Sequence, residues 1–310
     1  MQTLLNIGID GVAYGMVLFI IAVGLSVTLG LMRFVNLAHG AFAMIGGYAA
    51  ALLTREAQWS FWLALPVAVI GTAAVGALLE ALVLRHLYKR SELEQVLFTI
   101  GLAFFLIAAT NALAGPQVQL ITLPPVLTQS VDLGFRTLPA QRLLVIAAGL
   151  VVAAGAAWTM ARTRFGIWLR AVVDHSDTAS TLGIPIRTVQ CASFAVGAAL
   201  AGLGGVLGAE LMPLEPYYAL KYLVLVLVVV AVGGMGSIMG SLVAALSLGT
   251  VETASKYLAS EWGSLFFFVA MAAMLAWRPQ GILSTPRKCL RQSRPQGSGK
   301  VAKPHLLERR

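Results

Sequence analysis

The chain has 310 residues, of which 58% are hydrophobic and 11% charged, and its net charge is +9. Soluble domains carry roughly 25% charged residues, so a chain this apolar, with a mean hydropathy of +0.84, is excluded from the ordinary soluble enzymes. The positive charge does not mark a nucleic-acid binder: nine basic residues from Arg278 onward stand against Glu308 alone, the pattern of a cytoplasmic terminus under the positive-inside rule, with anionic lipid as a secondary partner.

A helix needs about 20 apolar residues to cross the hydrocarbon core. About nine stretches qualify, at 10–32, 36–54, 60–84, 94–114, 141–161, 188–210, 220–234, 237–258 and 261–277. The first has no Lys or Arg before it and is longer than a signal-peptide core, so it reads as a retained span. Arg85, His86, Lys89 and Arg90 cluster in one loop, and Arg162, Arg164, Arg170 and Arg187 in another. If the spans alternate, both clusters and the tail fall on the same side, the cytoplasm, which puts the N-terminus outside. The Pro- and Thr-rich loop from about 115 to 141 is then external, although it holds Arg136 and Arg142. The expected fold is an all-α polytopic bundle of eight or nine spans over 1–285, followed by a basic cytoplasmic tail, 286–310, of disordered composition.

Two pairs of spans are joined with almost no loop. One join runs Arg33-Phe34-Val35-Asn36-Leu37-Ala38-His39-Gly40, the other Gly233-Gly234-Met235-Gly236-Ser237. Each leads into a helix rich in Gly and Ala. They read either as tight turns at the membrane surface or as matching breaks inside the bundle, where non-helical backbone survives only if buried in protein or lining a cavity. On the second reading Asn36, His39, Gly40, Gly233, Gly234, Gly236 and Ser237 belong to the translocation pathway. Gly pairs four apart (Gly11 with Gly15, Gly204 with Gly208, Gly236 with Gly240) suit close helix packing.

Between the fifth and sixth spans lies the amphipathic segment Thr163-Arg164-Phe165-Gly166-Ile167-Trp168-Leu169-Arg170-Ala171, continuing to Gly183-Ile184-Pro185, a helix stop. Helix connections usually take 2–8 residues, and this one has room for a helix of about 15. It either lies on lipid or docks into a partner.

The remaining polar residues give little sign of catalysis. Cys191 and Cys289 make no disulfide framework, and histidines at 39, 86, 175 and 305 are scattered. Glu80 and Glu210 fall near span ends, where solvation is expected. Glu252 and Lys256 have the spacing of a helical ion pair. Gly297-Ser298-Gly299-Lys300 echoes a phosphate loop, but Arg294 and Val301 stand where Gly and Ser/Thr are needed, and the stretch reads as flexible tail.

The segment from Thr163 resembles the cytoplasmic loop of permeases of the branched-chain amino-acid ABC transporter family. Its T-R-x-G-x-x-x-R-A…A-x-x-x-G-I pattern is met by Thr163, Arg164, Gly166, Arg170, Ala171, Ala179, Gly183 and Ile184. The resemblance extends, in order, to Asn36 through Gly40 with Met44 and Gly46, to Gly197 through Gly208, to Gly233 through Ser237 and to Arg278-Pro279-Gln280-Gly281. Two features depart from it. The acidic residue expected after Arg170-Ala171 falls on His175, with Asp174 one place earlier, and the tail is longer.

The resemblance implies a non-enzymatic translocation subunit of the bacterial inner membrane, importing branched-chain or other hydrophobic amino acids. It implies a second permease, two cytoplasmic ATPases that bind the ATP and Mg, and an external substrate-binding protein. It makes the loop at about 162–187 the ATPase-coupling element, through Thr163, Arg164, Phe165, Gly166, Arg170, Ala171, Asp174, Ala179 and Gly183. The alternatives are an ion-coupled secondary transporter, for which Glu252 is the candidate buried acid, and an ABC permease for urea, amides or other amino acids.

Overall fold

The structure is a computed structural model that describes residues 2–32, 34–88, 90–132, 137–174, 176–258 and 262–277. Helices occupy all nine stretches expected to span: α1 (Gln2–Met32), α2 (His39–Arg55), α3 (Phe61–Leu82), α4 (Glu92–Ala114), α6 (Ala140–Arg162), α9 (Ile186–Leu207), α10 (Tyr218–Gly233), α11 (Ile238–Leu258) and α12 (Gly263–Trp277). Among the described residues, six helical stretches are long and apolar enough to cross a bilayer: Leu5–Leu29, Phe61–His86, Glu92–Ala114, Ala140–Arg162, Ile186–Leu207 and Ile238–Leu258. α2, α10 and α12 have 17, 16 and 15 residues, short of the about 20 that a full crossing takes. The expected eight or nine spans thus become six full-length helices and three shorter ones.

The long loop is not featureless. It carries a one-turn helix, α5 (Pro125–Thr128), and an antiparallel pair, β1 (Ser130–Asp132) with β2 (Thr137–Pro139), in register Val131 to Leu138. Gln119 N–H donates to the Leu214 carbonyl at 2.9 Å, tying this loop to the turn between α9 and α10.

α1 is the centre of the bundle. Its spanning window is 89% buried, against 17% for α6 and 22% for α4, which lie at the rim. Glycines let its neighbours close on it. A Cβ at Gly11 would stand 2.7 Å from Thr250 Cα, and one at Gly15 2.7 Å from the Ala245 carbonyl, both on α11. On its other side Gly204 of α9 and Gly208, just past its end, receive Ile21 and Val17. The first two glycine pairs therefore are helix contacts, as their spacing suggested. In the third, Gly240 meets Gly233 across the α10–α11 turn, and Gly236 lies in that turn.

α4 starts with a capping box: Ser91 Oγ accepts from the Glu94 N–H and Glu94 reaches back to the Ser91 N–H. Glu80 departs from expectation. It is 3% exposed and accepts a hydrogen bond from the Tyr88 hydroxyl at 3.2 Å. Burial, with the Glu80 charge beside it, pushes the Tyr88 hydroxyl above its ordinary range, so Tyr88 remains a donor. The tail from 278 onward, with Arg278, Gly281 and Cys289, lies outside the described residues.

Candidate functional site

The first join is more than a surface turn. α1 ends at Met32, yet His39 at the start of α2 places its Nε2 3.0 Å from the Ile21 carbonyl, eleven residues back along α1. At 1.5 Å per residue that is a retreat of about 16 Å into the bundle. The carbonyl can only accept, so Nε2 carries the proton. Residues 34–38 cover the distance without helix.

Backbone in this position must find partners, and α4 supplies them. Val35 N–H donates to Gln95 Oε1 and Leu37 N–H to Thr99 Oγ1, each at 3.2 Å. The geometry follows from two periodicities. Alternate residues of an extended segment lie about 6.6 Å apart, and side chains at i and i+4 of a helix about 6 Å apart. Gln95 also donates to the carbonyls of Leu87 and Arg90, and Thr99 to that of Gln95 at 2.8 Å. Asn36 closes the last turn by accepting from Ala38 N–H through Oδ1 at 3.1 Å, and its buried Nδ2 finds no partner among the described residues. Gln95 and Thr99 were missed in the sequence reading. Their signal was two polar residues four apart in an apolar helix.

The second join is a tight turn whose first residues, Gly233 and Gly234, are buried against the bundle while Met235 is 68% exposed. Gly234 and Gly236 have φ of 91° and 82°, which side chains rarely adopt. Gly236 N–H donates to Ser26 Oγ on α1 at 3.2 Å, about 9 Å short of that helix's end. Ser237 starts α11 by accepting from Gly240 N–H at 3.0 Å. A Cβ at Gly233 would lie 2.6 Å from backbone atoms of Gly240 and Ser241. The two joins therefore both lean on the second half of α1, through Ile21 and Ser26. Asn36 and His39 are each 1% exposed, and Gly40 is packed against the carbonyl of Ala219, at the start of α10.

The amphipathic segment forms α7 (Arg164–Asp174) and α8 (Ser176–Thr181), two short helices in place of the single one expected. His175 between them lies outside the described residues. Thr163 caps α7, its Oγ1 accepting from Gly166 N–H at 3.2 Å. Gly183, with φ 80°, ends α8, and Ile184 N–H reaches the Ala179 carbonyl at 3.1 Å.

The helical period sorts the apolar residues of α7 onto two faces. Leu169 and Val172 are buried with Ala179 and Val189, with Phe165 packed against them. Ile167 and Trp168 are 55% and 38% exposed, on the side where Arg164 is also exposed. Gly166 presses on α6: a Cβ there would be 2.5 Å from the Thr159 carbonyl oxygen. Arg170 donates to the Met160 carbonyl at 2.6 Å, satisfying one of the free carbonyls that end α6. Phe165, Gly166 and Arg170 thus fasten α7 to its own chain, while Arg164, Ile167 and Trp168 face outward.

Glu252 pairs with Lys256 at 2.9 Å, and the ammonium lies 5.2 Å from the centre of the Tyr14 ring. No group of three or more His, Cys, Asp or Glu suited to a metal ion occurs among the described residues.

Residues 8–275 match the family described as the branched-chain amino acid transport system / permease component. The chain is 27% identical over 293 residues to a probable branched-chain amino acid transport permease protein LivH of Methanocaldococcus jannaschii, covering 91% of this chain and 93% of that one. It is 28% identical to the LivH permease of the high-affinity system of Salmonella typhimurium, with 89% and 94% covered. It is 27% identical to the LivM permease of Escherichia coli, with 95% and 74% covered. No solved structure matches. With its set of long apolar helices, the chain is a multi-pass membrane protein, and it belongs to the permease-component family of branched-chain amino acid transport systems.

Proposed function

We propose that this chain is a permease subunit of an ATP-driven importer that carries branched-chain or other hydrophobic amino acids across the bacterial inner membrane. The observation that best supports the reading is the outward face of α7. Arg164, Ile167 and Trp168 offer a cation and two exposed apolar side chains outside the buried cluster of α7, on a helix fixed to α6 by Arg170. Such a face suits a groove in an ATPase subunit. Two ATPases would bind the ATP and Mg, a second permease would complete the pathway, and an external binding protein would deliver substrate. The joins at Asn36–Gly40 and Gly233–Ser237 would be the parts of this chain that shift during translocation.

The test is assembly and coupling. Aromatic and arginine anchors often cost on the order of 2 kcal/mol or more when lost, so Trp168→Glu with Arg164→Glu is expected to abolish co-purification with the ATPases and substrate-stimulated ATP hydrolysis while insertion persists. Uptake by the unaltered chain on an ion gradient with no ATPase present would overturn the proposal. Normal coupling by the double variant would move the contact away from α7.

Orientation has its own expected result. In a background without Cys191 and Cys289, Thr122→Cys should react with an impermeant thiol reagent on intact cells and Arg164→Cys should not. Both positions are exposed. The reverse pattern would place α7 outside.

A further inference from the structure

Where α6 begins and α9 ends, a cavity of about 440 Å³ is lined by Leu120, Ile121 and Leu123 of the long loop, by Val206, and by Gln141 and Glu210. Ligand pockets commonly have about 300–1,000 Å³. The wall is apolar except at one end. There Gln141, 4% exposed, turns its amide onto the Glu210 carboxylate. Arg142, next in the chain, is ion-paired with Asp10 of α1 and lies near enough to Glu210 to act on its charge. Tyr257 donates to the same Asp10 at 2.7 Å.

Asp10, Glu210 and Arg142 together sum to one negative charge. Glu210 is exposed at the rim of the cavity, so a cation can reach it, and partial desolvation pushes its carboxyl up against the opposing pull of Arg142.

We propose that this cavity is an entry site for a free zwitterionic amino acid with a branched aliphatic side chain. Its ammonium group sits on Glu210, and its carboxylate faces the Gln141 amide, with Arg142, outside the lining, adding its positive charge. Its side chain lies against Leu120, Ile121, Leu123 and Val206. A charged side chain would lose its water against that wall without gaining a partner. The proposal rests on the amino-acid reading of the transported substrate and adds to it a place in this chain where the substrate is held.

Binding can be read without transport. The full chain in lipid nanodiscs is titrated with leucine and followed by saturation-transfer NMR. The unaltered chain is expected to bind leucine below about 10 mM, and isocaproate, which lacks the ammonium, not at all. Glu210→Gln should weaken leucine binding at least about tenfold, Ile121→Trp should remove it by filling the cavity, and Glu210→Asp should keep part of it. Unchanged circular dichroism would show that the variants are folded. No leucine signal from the unaltered chain, or equal binding by the first two variants, would overturn the site. Binding as expected, with uptake that runs without an ATPase, would overturn the importer and leave the site standing.

Discussion

Gly40→Leu is expected to abolish uptake even in molecules that reach the membrane. Gly40 opens α2 inside the bundle, and a Cβ there would collide with the carbonyl oxygen of Ala219 at the start of α10. Both partners are backbone, so no side chain can swing aside, and the two helix starts must separate. Overpacking usually costs about 1–3 kcal/mol, and here the displaced elements carry the two joins. Gly233→Leu should act in the same way, since a Cβ would meet Gly240 and Ser241 backbone at 2.6 Å. Gly71→Leu and Gly101→Leu are the controls: both sites are exposed, with nothing within 4 Å of a Cβ. Gly11→Leu is no control, because Gly11 faces Thr250 Cα at 2.7 Å. Uptake per inserted molecule is the measurement. Normal uptake by both join variants would show that the joins do not move substrate and that the bundle tolerates their separation.

The double variant Gln95→Leu with Thr99→Val should lose stability as well as transport. It removes the acceptors of Val35 and Leu37 N–H while keeping side-chain bulk in α4. A buried donor left without a partner costs about 1–3 kcal/mol, so the pair should cost about 2–6 kcal/mol. The expected results are a melting temperature in detergent lower by several degrees and faster hydrogen exchange at the amides of Val35 and Leu37. Unchanged exchange at both would mean that other groups hold this segment.

Much of this was legible from sequence, for a physical reason. The cost of leaving backbone polar groups in hydrocarbon forces long apolar runs into helices, and each expected stretch became one. The turn glycines were equally plain, since Gly183, Gly234 and Gly236 all take positive φ. Depth was not legible. Arg33 through Gly40 has the same composition whether it turns at the surface or climbs back along α1, and the contact of His39 with the Ile21 carbonyl decides between them. The roles within α7 were blurred for a related reason. Phe165, Trp168 and Leu169 look alike as apolar anchors, and Arg170 looks like a free cation, until the end of α6 shows which side is inward. Glu80 was misjudged because nothing in its own stretch announces Tyr88 as its hydrogen-bond partner.

The fastening of α7 to α6 has a mechanical consequence. The 23 residues of α6 form a rod about 35 Å long, with little packing along most of its length. At one end, Thr163 is the single residue between the rod and α7, and Gly166 and Arg170 brace that corner so that it cannot swivel freely. At the other end stand Gln141 and Arg142, the latter hooked to α1 through Asp10. Torque applied to α7 is therefore not absorbed in a soft linker. It is passed to the rod as a whole, and at the far end it bears on the pairing of Arg142 with Asp10.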